Sequence, residues 1–221
     1  KKILTLLITS ILIFSNWFIW IYAVATSRII DASFGYYIFP IISVFLGSIF
    51  LKEKLNFKKK ISISIIIISI FYMVYFLDNI PWIGLIVAFS FSFYAVLRKI
   101  IKVETDIGLL IESLFILPII GVIFYLIIKT GSNDFNLQNL SLASLIILAG
   151  PMTLIPLFLY VKGVELAGLG PSGMVFFIVP TGQFLLGFFY FNEPFSTDKF
   201  ISFIFIWIAV LIYLRDLYEN N

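Results

Sequence analysis

A chain of 221 residues that is 62% hydrophobic and 12% charged, with a mean hydropathy of +1.12, has too little polar surface to face water on all sides. Soluble domains carry about 25% charged residues, so the composition excludes one and reads as an integral membrane protein. Neither Cys nor His occurs, which removes disulfides, thiol nucleophiles, haem ligation and the usual zinc sites, and the net charge of +3 matters less than where the cations lie.

Crossing the hydrocarbon takes about 20 apolar residues as helix. Eight such segments follow one another, at about 3–25, 32–51, 61–77, 81–98, 107–128, 142–162, 172–191 and 199–217. The runs are continuous rather than alternating, so the expected fold is an all-α polytopic bundle and not a β-barrel. The first segment imitates a signal peptide, with Lys1 and Lys2 ahead of it and Ala23-Val24-Ala25 behind. Its apolar run exceeds the about 7–15 residues of a leader, and it contains Asn16, Trp17 and Trp20, so it reads as a helix of the bundle. Lys129 to Ser141 is the only obviously soluble connection.

With the N-terminus in the cytoplasm, twelve of the fifteen Lys and Arg fall on the inner side; only Arg28, Lys129 and Lys199 fall outside. The positive-inside rule then places both termini in the cytoplasm.

An internal repeat organises the chain. Residues 31–60 and 171–200 align without a gap at an offset of 140, with Ile38, Pro40, Leu46, Gly47, Glu53 and Lys59 falling on Ile178, Pro180, Leu186, Gly187, Glu193 and Lys199. The first three segments thereby correspond to the last three, a period of five helices. An odd period inverts the second copy, and inverted repeats are typical of secondary transporters. The expected domains are 1–78, the last three helices of a first repeat, and 79–221, a complete second repeat of five. The first two helices of the first copy, roughly 60 residues, are expected ahead of Lys1 in a ten-helix, five-plus-five protein.

Several motifs carry a family resemblance: NWFIWIYAV (16–24), DASFGYYIFPIISVFLGSIFLKEKL (31–55), AFSFSFYAVLRKI (88–100), GLLIESLFILP (108–118) and FIFIWIAVLIY (203–213). In this order they resemble the RarD-type branch of the EamA family, within the drug/metabolite transporter superfamily. The resemblance implies a ten-helix bacterial inner-membrane carrier with two inverted halves and cytoplasmic termini.

Candidate site residues follow. Glu112, about 7–8 Å into the fifth segment at 1.5 Å per residue, either meets a cationic solute group or a coupling proton, or forms a structural ion pair with Arg98. Asn16 and Trp20, four apart on one face, are candidates for a cavity wall, supported by the resemblance; the alternative is an interhelical hydrogen bond with the tryptophans as interface anchors. Tyr36, Tyr37, Tyr94 and Gln183 are further cavity candidates, and Pro40 and Pro180 are candidate hinges as well as packing kinks. Gly150, Pro151 and Pro156 predict an irregular sixth segment. The pocket is expected among the first, second, fourth, fifth and seventh segments.

The function expected is outward secondary transport of a small organic metabolite or drug-like solute by alternating access. A channel or facilitator pore of the same topology is the alternative, and an intramembrane enzyme or a membrane scaffold are remoter ones. No catalytic residue, cofactor, metal or nucleic acid is expected; the partners are a small-molecule solute, the lipid bilayer and a candidate coupling proton.

Overall fold

The computed structural model describes residues 1–26, 29–75, 82–131, 133, 135, 139–189 and 197–219, leaving aside the side chains of 29–31, 33, 34, 73, 183, 184, 186–188, 198, 199 and 203. Within these the chain forms nine helices: α1 (Lys2–Ala25), α2 (Ile29–Phe50), α3 (Phe57–Tyr75), α4 (Trp82–Ile101), α5 (Thr105–Lys129), α6 (Leu140–Ala167), α7 (Leu169–Val175), α8 (Ile178–Phe189) and α9 (Thr197–Glu219). Each of the eight expected segments is helical, and the seventh is divided into α7 and α8. The chain is an all-α polytopic membrane bundle. Hydrocarbon offers the backbone no partners, so each spanning segment closes its hydrogen bonds on itself.

By length and composition, α1, α4, α5, α6 and the Phe200–Glu219 part of α9 can cross a membrane; Gly35–Phe50 in α2 and Leu169–Gly182 across α7 and α8 are shorter apolar stretches. Helix α4 is central, packed between α1 and α2. α5 lies against α1, α7 lies against α2, and α3 pairs with α9. The α2–α4 contact is close because Gly35 faces the Gly84 carbonyl, where a Cβ would come to 2.6 Å. Small residues let helix backbones meet in this way where no hydrophobic effect drives association. The Ser62 hydroxyl donates to the Ala209 carbonyl at 2.6 Å, joining α3 to α9.

The apolar core has two main parts. Phe39, Leu46, Ala88, Ala95, Val164 and Leu169 join α2, α4, α6 and the start of α7. Val44, Ile66, Met174, Phe177, Ile206 and Tyr213 join α2, α3, α7 and α9. The outer lengths of α5 and α6 expose Leu, Ile and Phe side chains, a pattern that suits lipid contact and would be costly in water.

The prolines behave differently from one another. Between α7 and α8, the Phe176 and Phe177 N–H groups donate to carbonyls three residues back, at 3.1 and 3.3 Å, and the Phe176 carbonyl accepts from Val179. Pro180 has no N–H for that carbonyl and its ring crowds it, so the helix is interrupted one turn ahead of the proline. Pro40 sits inside an unbroken α2. The sixth segment, expected to be irregular, is one helix of 28 residues through both Pro151 and Pro156. A proline removes a single ladder bond, and long flanks on each side hold the remainder.

Candidate functional site: an aromatic pocket between helices α1, α2, α4 and α6

A cavity among the described residues has a volume of about 310 Å³. Its walls come from α1 (Asn16, Trp17, Trp20), α2 (Gly35, Tyr36, Phe39), α4 (Val87, Ala88, Phe91), α6 (Met152, Thr153, Pro156, Leu157, Tyr160) and Phe176 at the α7–α8 break. This corrects the expected set of helices: α6 takes the place of α5. Phe176 enters because the interruption before Pro180 carries it to the cavity.

The rings form a continuous lining. Trp20 meets Tyr36 edge-on at 5.2 Å between centroids, and Tyr36 lies 5.7 Å from Phe176. Phe39 is 4.7 Å from Phe176 and 5.0 Å from Phe91, which stacks on Tyr160 at 4.9 Å. These separations fall within the favourable range for aromatic pairs. Among the described residues, no Asp, Glu, Lys or Arg lines the space.

Four pairs related by the offset of 140 line the cavity together: Asn16 with Pro156, Trp17 with Leu157, Trp20 with Tyr160, and Tyr36 with Phe176. The pair Tyr36 and Phe176 falls within the aligned stretches 31–60 and 171–200, and the same offset carried back to the first segment joins Asn16 to Pro156 on α6. Tyr160, four residues after Pro156 just as Trp20 follows Asn16, was legible from the same spacing.

Asn16, 8% exposed, is held by α4. Its Nδ2 donates to the Val87 carbonyl at 2.8 Å and to the Ser90 hydroxyl at 2.9 Å.

Other candidates lie elsewhere. Tyr37 packs against the α2–α3–α9 core on the far side of α2. Glu112 and Tyr94 are buried outside the cavity. The Glu112 carboxylate accepts from the Thr9 hydroxyl of α1 at 2.6 Å and the Tyr94 hydroxyl of α4 at 3.1 Å, and lies 3.6 Å from Arg98 Nε. Arg98 Nη2 also donates to the Thr105 carbonyl at 3.3 Å. Its guanidinium lies against Gly108, where any Cβ would overlap it. Thr9 escaped the sequence reading, although it stands seven residues before Asn16 and so on the same face of α1. The Gln183 side chain lies outside the described residues, as does Glu193.

Glu53 marked the repeat and had no assigned role. Helix α2 ends with Lys52 at φ 56°, in the left-handed region, and with the Glu53 N–H donating to the Gly47 carbonyl at 3.1 Å, which turns the chain back at the helix end. That turn sends the carboxylate to the start of α7, where it accepts from Leu169 N at 2.7 Å and Gly170 N at 2.9 Å. Gly168, at φ +96°, opens the backbone there, and a Cβ on it would come within 2.6 Å of the carboxylate.

Comparison with known proteins agrees with this architecture. Residues 1–75 match the EamA-like transporter family. The protein RarD of Escherichia coli (strain K12) is 33% identical over 216 residues, covering 98% of this chain and 73% of RarD. YojE of Bacillus subtilis (strain 168), described as an uncharacterized transporter, is 37% identical over 211 residues, covering 96% of this chain and 70% of YojE. The chain belongs to the RarD-type branch of the EamA-like transporter family. An uncharacterized transporter of Vibrio cholerae is 33% identical over 216 residues, 98% of this chain and 72% of its own length. In this member of the family, the aromatic cavity and the Glu53 clasp both join residues 1–75 to later helices.

Proposed function

We propose that this RarD-type protein is a secondary carrier of the bacterial inner membrane, with both termini cytoplasmic, that moves a small amphipathic or aromatic organic solute outward by alternating access. The observation that carries the reading is the lining of one uncharged aromatic cavity by residues paired at the repeat offset, Asn16 with Pro156, Trp20 with Tyr160 and Tyr36 with Phe176. A site shared by two inverted halves is where a rocking motion changes access, and its size suits a small organic solute.

On this reading the Glu53 clasp closes the cytoplasmic side. Two backbone N–H groups of α7 bonded to one carboxylate tie the end of α2 to the start of α7, and inward opening has to release them. Glu53→Ala therefore favours the inward-open state, measured as increased cytoplasmic-side labelling of a cysteine placed at Val164.

The test of function is uptake of aromatic solutes into inside-out vesicles by the full chain. Saturable flux that falls at least about tenfold in Phe91→Ala or Phe176→Ala fits a carrier with this cavity; loss of a buried aromatic anchor is commonly worth that much. Flux that does not saturate and exceeds conformational rates would establish a pore instead.

A further inference from the structure

The orientation of the Asn16 amide shows which chemistry the cavity receives. A backbone carbonyl only accepts, so the Asn16 branch 2.8 Å from the Val87 carbonyl must be the NH₂ group. The second N–H goes to Ser90 Oγ, whose own proton goes to the Val87 carbonyl at 3.1 Å. Both amide donors are thus used on α4. The other branch, the Oδ1 acceptor, has no hydrogen-bond partner among the described residues, and Asn16 lines the cavity. Thr153 adds no free donor, because its hydroxyl donates to the Ala149 carbonyl at 2.8 Å.

We infer that Asn16 Oδ1 is the polar anchor of the solute site and selects solutes that present an N–H or O–H donor beside an apolar or aromatic body. This rests on the transport reading of the same cavity. Val87 and Ser90 are positioning groups: they prevent the amide from turning its donors toward the solute. An ammonium head gains twice here, from the acceptor and from the ring faces of Tyr36 and Phe176, which attract cations without a carboxylate. A carboxylate head meets a lone pair instead.

The test measures dissociation constants by titration calorimetry with the full chain in nanodiscs. The probes are 2-(1-naphthyl)ethylammonium, its N,N,N-trimethyl derivative and 3-(1-naphthyl)propionate. The trimethyl compound keeps ring and charge and loses the donor. The wild type is expected to bind the primary ammonium at least about tenfold more tightly than the trimethyl compound, the scale of a hydrogen bond to a charged donor. Asn16→Leu brings that ratio to within about twofold, with both cations still bound through the rings. Asn16→Gln keeps the amide but moves the acceptor by one methylene, lowering the ratio at least about threefold; it serves where the leucine variant does not fold. Ser90→Ala frees one amide N–H and narrows the gap between ammonium and propionate. A wild-type ratio near one, or propionate bound as tightly as the ammonium, overturns the acceptor role and leaves the cavity a binding site. If none of the three probes binds saturably, the transport reading of the cavity fails with it.

Discussion

Two polar sites are built between α1 and α4, two helical turns apart, and they have opposite characters. At one, Asn16 meets Val87 and Ser90 beside an open aromatic space and keeps one acceptor free. At the other, Thr9 meets Glu112, with Tyr94 and Arg98 closing around the carboxylate. The third helix makes the difference. Gly108 lets α5 come against the Arg98 guanidinium and fill the space, while α6 with Pro156 and Tyr160 stands off from Asn16 and leaves a cavity. A polar residue in a membrane bundle thus becomes a binding group or a packing group according to what the neighbouring helix leaves around it.

The contrast can be broken most severely at the packed site. Glu112→Leu leaves Arg98, 4% exposed, without its counter-charge, and uncompensated buried charges cost about 3–5 kcal/mol. The expected outcome is a large fall in folded yield and melting temperature by fluorescence-detected size-exclusion chromatography; an unchanged melting temperature would show the pair to be dispensable. Gly108→Ala comes next, since its Cβ overlaps the guanidinium and forces repacking at about 1–3 kcal/mol. If the sites are separate, naphthylethylammonium still binds this variant with wild-type affinity.

Thr9→Val removes one hydroxyl donor to Glu112 and should cost about 1 kcal/mol, in line with interhelical hydrogen bonds in membranes. Glu112→Gln keeps the side chain's shape but also removes the counter-charge of Arg98, so folded yield falls as in Glu112→Leu, while transport by the protein that folds, measured across pH, should follow the wild-type profile. A flattened profile would make the carboxylate a coupling-proton site instead. The smallest effect is expected for Lys58→Ala. Its 2.6 Å pair with Glu219 is exposed, and such pairs contribute about 0–1 kcal/mol. A loss as large as that of Thr9→Val would show that burial does not rank these contacts.

Much of this arrangement is legible along the chain, and the gaps have physical causes. Asn16, Trp20 and Tyr36 can be picked out because polar and amphipathic aromatic groups are conspicuous in apolar helices, and all three line the cavity. Glu112 and Arg98 are each conspicuous as charges near a membrane, and the structure puts them 3.6 Å apart. Tyr37 and Tyr94 carry the same composition signal but face the core and the Glu112 cluster. Rotation of the helix decides this, and a helix hydrophobic on all sides does not record its rotation. The place of α6 at the cavity was hidden for a similar reason: its lining residues Met152 and Leu157 look like any lipid-facing set, and Tyr160 stands out only through the offset of 140. Glu53 was visible only as half of a repeated position, since its partners are backbone N–H groups of residues more than a hundred positions away.

Composition and run length alone determined a helical membrane bundle and its eight segments, because hydrocarbon imposes one rule on every spanning segment, and residue identities along the chain determined the repeat at 140. Only the tertiary structure decided which polar groups share a site. Packing choices such as Gly108 beneath Arg98, or Phe176 turned inward at the break before Pro180, depend on which helices are neighbours, and no local pattern encodes that.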